Sequence, residues 1–126
     1  MSYKVEIQEA SKAFSKRETI KIKDVSNAVK FDEIAEGSPV VITPAAYAVL
    51  LVHNDKSENK DYPLYIILDK DGNKYMTGSE SFWNSFIDIW EEMTEGVDEP
   101  EEFEIEVYKK DSKNYKGKKF LTCSIV

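Results

Sequence analysis

Apolar residues follow helical spacing most clearly in SESFWNSFIDIWEEM, residues 79–93, where Phe82, Phe86, Trp90 and Met93 form a stripe that Trp83 and Ile87 widen. Ser79 or Ser81 is placed to cap the first turn, and Gly96 then Pro100 stand where such a helix stops. Upstream, AYAVLLVHN (46–54) is an apolar, β-branched run that reads as a mostly buried strand. LYIILDKDGNKYMT (64–77) reads as a hairpin whose three-residue loop puts Gly72 in the left-handed conformation. That loop sets Asp69 opposite Asn73, Ile67 opposite Tyr75 and Tyr65 opposite Thr77, with Leu64, Ile66, Leu68 and Met76 on the other face. Strict alternation in EFEIEVYKK (102–110) predicts a half-buried strand with Phe103, Ile105 and Val107 inward. KFLTCSIV (119–126) supplies another, with Leu121, Cys123 and Ile125 on one face. In the N-terminal third, ETIKIKD (18–24) alternates like a short strand, and residues 26–36 read as a short helix ended by Gly37.

From residue 46 the order is strand, strand, strand, helix, strand, strand. A helix between the third and fourth of five short strands is the order of an OB-fold, a mainly β, five-stranded Greek-key barrel. The expectation is a single domain over 1–126, with an N-terminal extension and first strands in 1–42 and the barrel core in 46–126. Another α+β arrangement of five strands and a helix is the competing reading.

Charge changes this picture more than composition does. The net charge is -7, yet the span between Tyr75 and Tyr108 holds 11 of the 24 acidic residues and no Lys or Arg. The remainder carries 17 basic against 13 acidic residues, so the chain is segregated into regions of opposite sign. The basic maximum is KKDSKNYKGKK, residues 109–119. In an OB barrel the ligand face is built from strands two and three and flanked by the one–two and four–five loops. Here those loops are 54–63, with Lys56, Lys60 and Tyr62, and the quoted stretch, with Lys109, Lys110, Lys113, Tyr115, Lys116, Lys118 and Lys119. Tyr65 and Tyr75 are expected to be exposed between them. Single-stranded nucleic acid needs this combination: lysines gain counterion-release free energy on phosphates, and aromatic rings stack on unpaired bases. With sixteen lysines to one arginine, backbone tracking with little sequence preference is the expectation. Taken singly, lysine loops solvate strand ends and strand tyrosines pack. The row Glu102, Glu104 and Glu106 would repel phosphate if it lay beside the tyrosines.

Catalytic chemistry finds no foothold. There is one histidine, one cysteine, no Gly-rich phosphate loop and no His-Glu-x-x-His. DKDGN (69–73) starts like a calcium loop but lacks the supporting helix on its N-terminal side. Glu91, Glu92 and Glu95 read as a solvated helix face, and His53 as a polar residue ending a strand. No enzyme activity, cofactor or metal is expected. The lone cysteine and the lack of an apolar leader or span point to the cytoplasm and away from membranes.

The run from Ile42 to Met93, with its T-G-S-x-x-F helix start (Thr77 to Phe82), and the passage S-K-N-Y-K-G-K-x-F-L (Ser112 to Leu121) resemble the small single-stranded-DNA-binding proteins of bacteriophages and mobile elements of Gram-positive bacteria. The resemblance covers residues ~42–125 and implies an OB-fold that coats single strands during replication or recombination. Cellular proteins of this kind end in an acidic tail that recruits partners. This sequence ends at Ile125-Val126, so any recruitment of replication or recombination proteins would fall to the acidic span 88–106. A homo-oligomer is compatible with the sequence. The alternative expectation is an acidic protein-interaction module or a phage-encoded inhibitor that mimics DNA.

Overall fold

The computed structural model describes residues 3–54, 61–111 and 117–126. Its contacts gather into two interleaved units, Met1–Lys30 with Ala45–Gly78 and Phe31–Pro44 with Ser79–Val126. Residues 1–30 fall in the first unit and residues 31–44 in the second. The described residues are mainly β, with one five-stranded and one three-stranded sheet.

In the first unit, β1 (Tyr3–Ala10) pairs antiparallel with β4 (Pro44–Asn54), with Val5 opposite Val52 and a bulge between Ile7 and Glu9. β4 is followed in the sheet by β5 (Asp61–Asp69), β6 (Lys74–Thr77) and the two-residue β2 (Val29–Lys30). The β5–β6 hairpin adopts the register expected from its turn: Tyr65 faces Thr77, Ile67 faces Tyr75, and Gly72 has φ 88°. The Asp69 and Asn73 backbones close the loop at 3.0 Å. One face of this sheet packs Ala48, Leu50, Ile66, Leu64, Leu68 and Met76 with Ile22 of α1 (Lys16–Lys23).

Residues 18–23 are thus helical, which overturns the strand expected over 18–24. Ser15 Oγ accepts from the Glu18 amide at 3.2 Å while Glu18 Oε1 accepts from the Ser15 amide at 3.0 Å, a capping box that starts the helix. At the other end, the Lys74 ammonium donates to the carbonyl of Lys21 and, at 2.6 Å, to that of Asp24. A cation there satisfies the last carbonyls and complements the helix dipole. The expected helix over 26–36 is also redistributed. It becomes a 3₁₀ turn (Val25–Asn27), β2 and the one-turn α2 (Phe31–Ile34), although Gly37 does take φ 86°.

In the second unit, β3 (Val40–Ile42) pairs with β7 (Ile105–Asp111), and β7 with β8 (Lys119–Ile125). α3 (Glu80–Thr94) packs on β8. Its start is capped by Ser79 Oγ, which accepts from the Phe82 amide at 3.2 Å, and Gly96 with φ 73° follows its end. Ser81 Oγ donates to the Leu121 carbonyl at 2.8 Å, and Ser85 bonds Thr122 at 3.0 Å, tying helix to strand. The two phenylalanines of the stripe are core: Phe82 lies 5.0 Å from Phe31 and 5.9 Å from Phe86 between ring centroids, and both are buried, whereas Trp83 and Trp90 are half-buried. Ile125 departs from the expected inward row and is 49% exposed. Cys123 is buried, and burial pushes its thiol pKa up to about 12.

Neither sheet closes on itself into the expected barrel. The edge of β6 is taken by β2 in parallel pairing, Val29 opposite Tyr75, in a segment expected to be helical. No helix among the described residues is long and apolar enough to cross a membrane.

Candidate nucleic-acid interface

The β7–β8 hairpin is the element that carries the basic stretch. Its ladder runs from Ile105–Ile125 to Asp111–Lys119, so strand pairing itself carries the lysines to one end. Val107 and Cys123 face each other in the buried part, whereas Lys110 pairs with Phe120 in the exposed part. Lys110, Lys118 and Lys119 are exposed. Lys109 is half-buried. Its ammonium lies 2.6 Å from Glu36, and that bond holds the lysine pKa up and the glutamate pKa down. Beside this pair, Gly37, Ser38, Pro39, Tyr108 and Lys119 line a cleft of about 220 Å³. The Tyr108 hydroxyl bonds Ser124 at 2.8 Å. Lys113, Tyr115 and Lys116, and in the other expected loop Lys56 and Lys60, lie outside the described residues.

The tyrosine track expected from the sequence is corrected. Tyr65 is only 7% exposed, on a face where Ile67 and Thr77 are also buried, so its ring offers no open stacking platform. Alternation along β5 distinguishes two faces, but it does not show that both are covered. Tyr75 is half-buried, and its hydroxyl donates to Asp69 at 3.3 Å. Burial together with the Asp69 carboxylate raises the phenol's pKa. Tyr62, at the start of β5, is half-buried.

Asp69 organises this turn. Its carboxylate accepts from the Asp71 amide at 3.0 Å, the Asn73 amide at 2.8 Å and the Asn73 side chain at 3.0 Å. Burial alone would raise its pKa, but the Asn73, Asp71 and Tyr75 donors outweigh burial and hold it below the usual carboxylate range. The calcium-like DKDGN sequence is therefore an internally satisfied turn. Among the described residues no group of three or more His, Cys, Asp or Glu side chains is placed to hold a metal ion. His53 lies near the end of β4 as expected, with Nδ1 2.6 Å from Asp61 and Nε2 3.6 Å from Glu6.

A second basic feature is not evident from the order of elements. In the first unit, Lys12, Phe14, Lys21, Lys70 and Lys74 line a groove of about 690 Å³. The Lys12 ammonium sits 5.6 Å from the Phe14 ring centroid. The groove's carboxylates are engaged: Glu18 in the capping box, Asp24 with Ser26 and Asn27, and Asp69 in its turn. Its signal in the sequence is SKAFSKR (11–17), an aromatic interleaved with basic residues. No family model, curated protein or solved structure matches the chain.

Proposed function

We propose that this protein is a non-catalytic binder of single-stranded DNA that tracks the backbone through the β7–β8 hairpin, as phage and mobile-element replication or recombination requires. The observation that carries the reading is the exposure of Lys110, Lys118 and Lys119 at the same end of a two-stranded ladder. The segment between them adds Lys113, Tyr115 and Lys116 in sequence. Solvent-exposed lysines gain free energy by neutralising phosphate, and each phosphate neutralised contributes a salt dependence of about 0.7 in log–log slope on single strands. Stacking falls to Tyr115 rather than to the buried Tyr65.

The finer fold assignment belongs to the same proposal. The helix between β6 and β7 stands at the place in the element order that an OB-type arrangement requires, which supports that reading.

The test is a fluorescence titration with labelled oligo-dT over a series of salt concentrations. Affinity falls steeply with salt, and Lys113→Glu with Lys116→Glu weakens it on every sequence tried. Undetectable or salt-insensitive binding overturns the reading.

A second reading, an acidic protein-interaction module, is favoured by the exposure of Asp88, Glu91, Glu92, Glu95, Asp98, Glu99, Glu101, Glu102 and Glu104. Under it, charge reversal at Glu91, Glu92 and Glu95 abolishes partner capture while the lysine hairpin is dispensable.

A further inference from the structure

Two solvent-facing apolar features of this chain carry opposite charge around them. On α3, Asp88 and Glu92 form one i,i+4 row and Ile89 and Met93 the adjacent one. These four and Ile125 line a groove of about 340 Å³. Met93 and Ile125 also line a neighbouring cleft of about 290 Å³, whose rim adds the carboxylates of Glu101, Glu102 and Glu104. No Lys or Arg occurs anywhere between Tyr75 and Tyr108, so the sequence supplies this rim with no local counter-charge.

The complement is on α1. Ile20 projects from it with 69% of its surface exposed, while its neighbour Ile22 is buried in the core. Its neighbours one turn away are Lys16, Arg17, Lys23 and the capping Asp24, all exposed. Glu18 and Asp24 remain charged, held by the cap at Ser15 and by Ser26 and Asn27, but cations outnumber them on this helix. An isoleucine on a predominantly basic helix is the charge counterpart of an apolar groove ringed by carboxylates.

We propose that the α1 knob of one copy docks in the α3–β8 groove of a second copy. Ile20 would insert among Ile89, Met93 and Ile125, while Lys16, Arg17 and Lys23 would face Asp88 and Glu92. On the single chain Ile20 and Ile125 are exposed and Ile89 and Met93 only half-buried, so each feature leaves apolar surface in water. Knob and groove are different patches, so the contact is heterologous and builds rings or open chains of more than two copies. It is independent of nucleic-acid binding, since the hairpin lysines take no part.

Sedimentation velocity without nucleic acid tests it. At about 0.01 M salt, where charges act over ~30 Å, wild-type protein forms species that grow with concentration; at about 1 M, where that range is ~3 Å, they recede. Ile20→Glu on the knob and Asp88→Lys with Glu92→Lys on the groove each weaken association by about tenfold or more, the scale expected for removing an anchoring side chain. Thermal melts check that each variant folds. An equimolar mixture of the two variants retains one intact knob and one intact groove, so it forms dimers and nothing larger. A wild type that stays monomeric or stops at a dimer overturns the proposal. So does a variant that assembles like wild type, or a mixture that remains monomeric.

Discussion

Two hairpins of this protein contain tyrosines and lysines, and they use them in opposite ways. In β5–β6 the turn is tight and built around the buried Asp69, although Lys70, Asp71 and Asn73 are exposed. Asp69 gathers four donors, Lys74 caps α1, and Tyr65 is buried. In β7–β8, Lys109 is committed to a carboxylate, but the ladder ends in lysines open to solvent. Lysines and tyrosines therefore serve folding in one hairpin, while in the other Lys110, Lys118 and Lys119 face solvent, where a ligand can reach them. What separates them is how far the ammonium or phenol is withdrawn from water, a property of tertiary structure.

The largest effect expected from this contrast is at Tyr65. Tyr65→Ala empties a buried aromatic site and lowers stability by about 3 kcal/mol or more, a drop of roughly 10 °C in Tm. Oligo-dT affinity, measured well below the melting range, stays unchanged. A loss of affinity with no loss of stability would return Tyr65 to the binding face and break the contrast.

Asp69→Ala comes next, at about 1–3 kcal/mol, because it leaves the turn's donors without their acceptor. Its folded pKa lies below the ordinary carboxylate value, so the stability it contributes is present above about pH 4 and fades as pH falls through the folded value. Acid titration of Tm in wild type and Asp69→Asn checks this: the variant loses part of the wild type's acid-side decline.

In the other hairpin the expected change is in binding. Lys110→Glu with Lys118→Glu lowers oligo-dT affinity by about tenfold, near 1.4 kcal/mol. It also flattens the log–log salt slope by about 1.4, or 0.7 for each phosphate no longer neutralised. Lys74→Met should do the reverse, shifting Tm through the end of α1 and leaving the salt slope alone. If the two variants exchange phenotypes, the division of labour between the hairpins is wrong.

The sequence is legible wherever one physical signal dominates. The α3 stripe, its Ser79 cap and Gly96 agree with one another, and Gly72 determines the β5–β6 register because the three-residue loop needs a positive φ at that position. α1 reads wrongly as a strand because Glu18-Thr19-Ile20-Lys21-Ile22 alternates with period two and uses β-branched residues. Ile20 is exposed, so no apolar helical stripe exists to contradict that pattern, and only the Ser15–Glu18 capping box gives the helix away. The burial of Tyr65 is illegible for a different reason. Alternation tells which side chains share a face of a sheet, but whether the second face is covered depends on elements distant in sequence. The groove around Phe14 is hidden likewise, since Lys70 and Lys74 reach it from the far end of a hairpin.

The smallest expected effect tests the remaining committed polar cluster, at the open end of β4. His53 hydrogen-bonds Asp61, and that bond raises its pKa despite opposing desolvation; Glu6, itself paired with Lys4 at 3.0 Å, adds to the rise. A folded pKa above the unfolded value of about 6.5 means the charged histidine stabilises the fold fully below that pH. The contribution then disappears as pH rises through the folded value. Wild-type Tm should accordingly decline slightly between about pH 6 and pH 8, and His53→Gln should remove that slope while leaving oligo-dT binding at fixed pH unaffected. Because the cluster is solvent-exposed, salt should shrink the effect, as it does for other surface ion pairs. A slope that survives His53→Gln would assign the titration elsewhere and remove β4's open end from the set of internally committed groups.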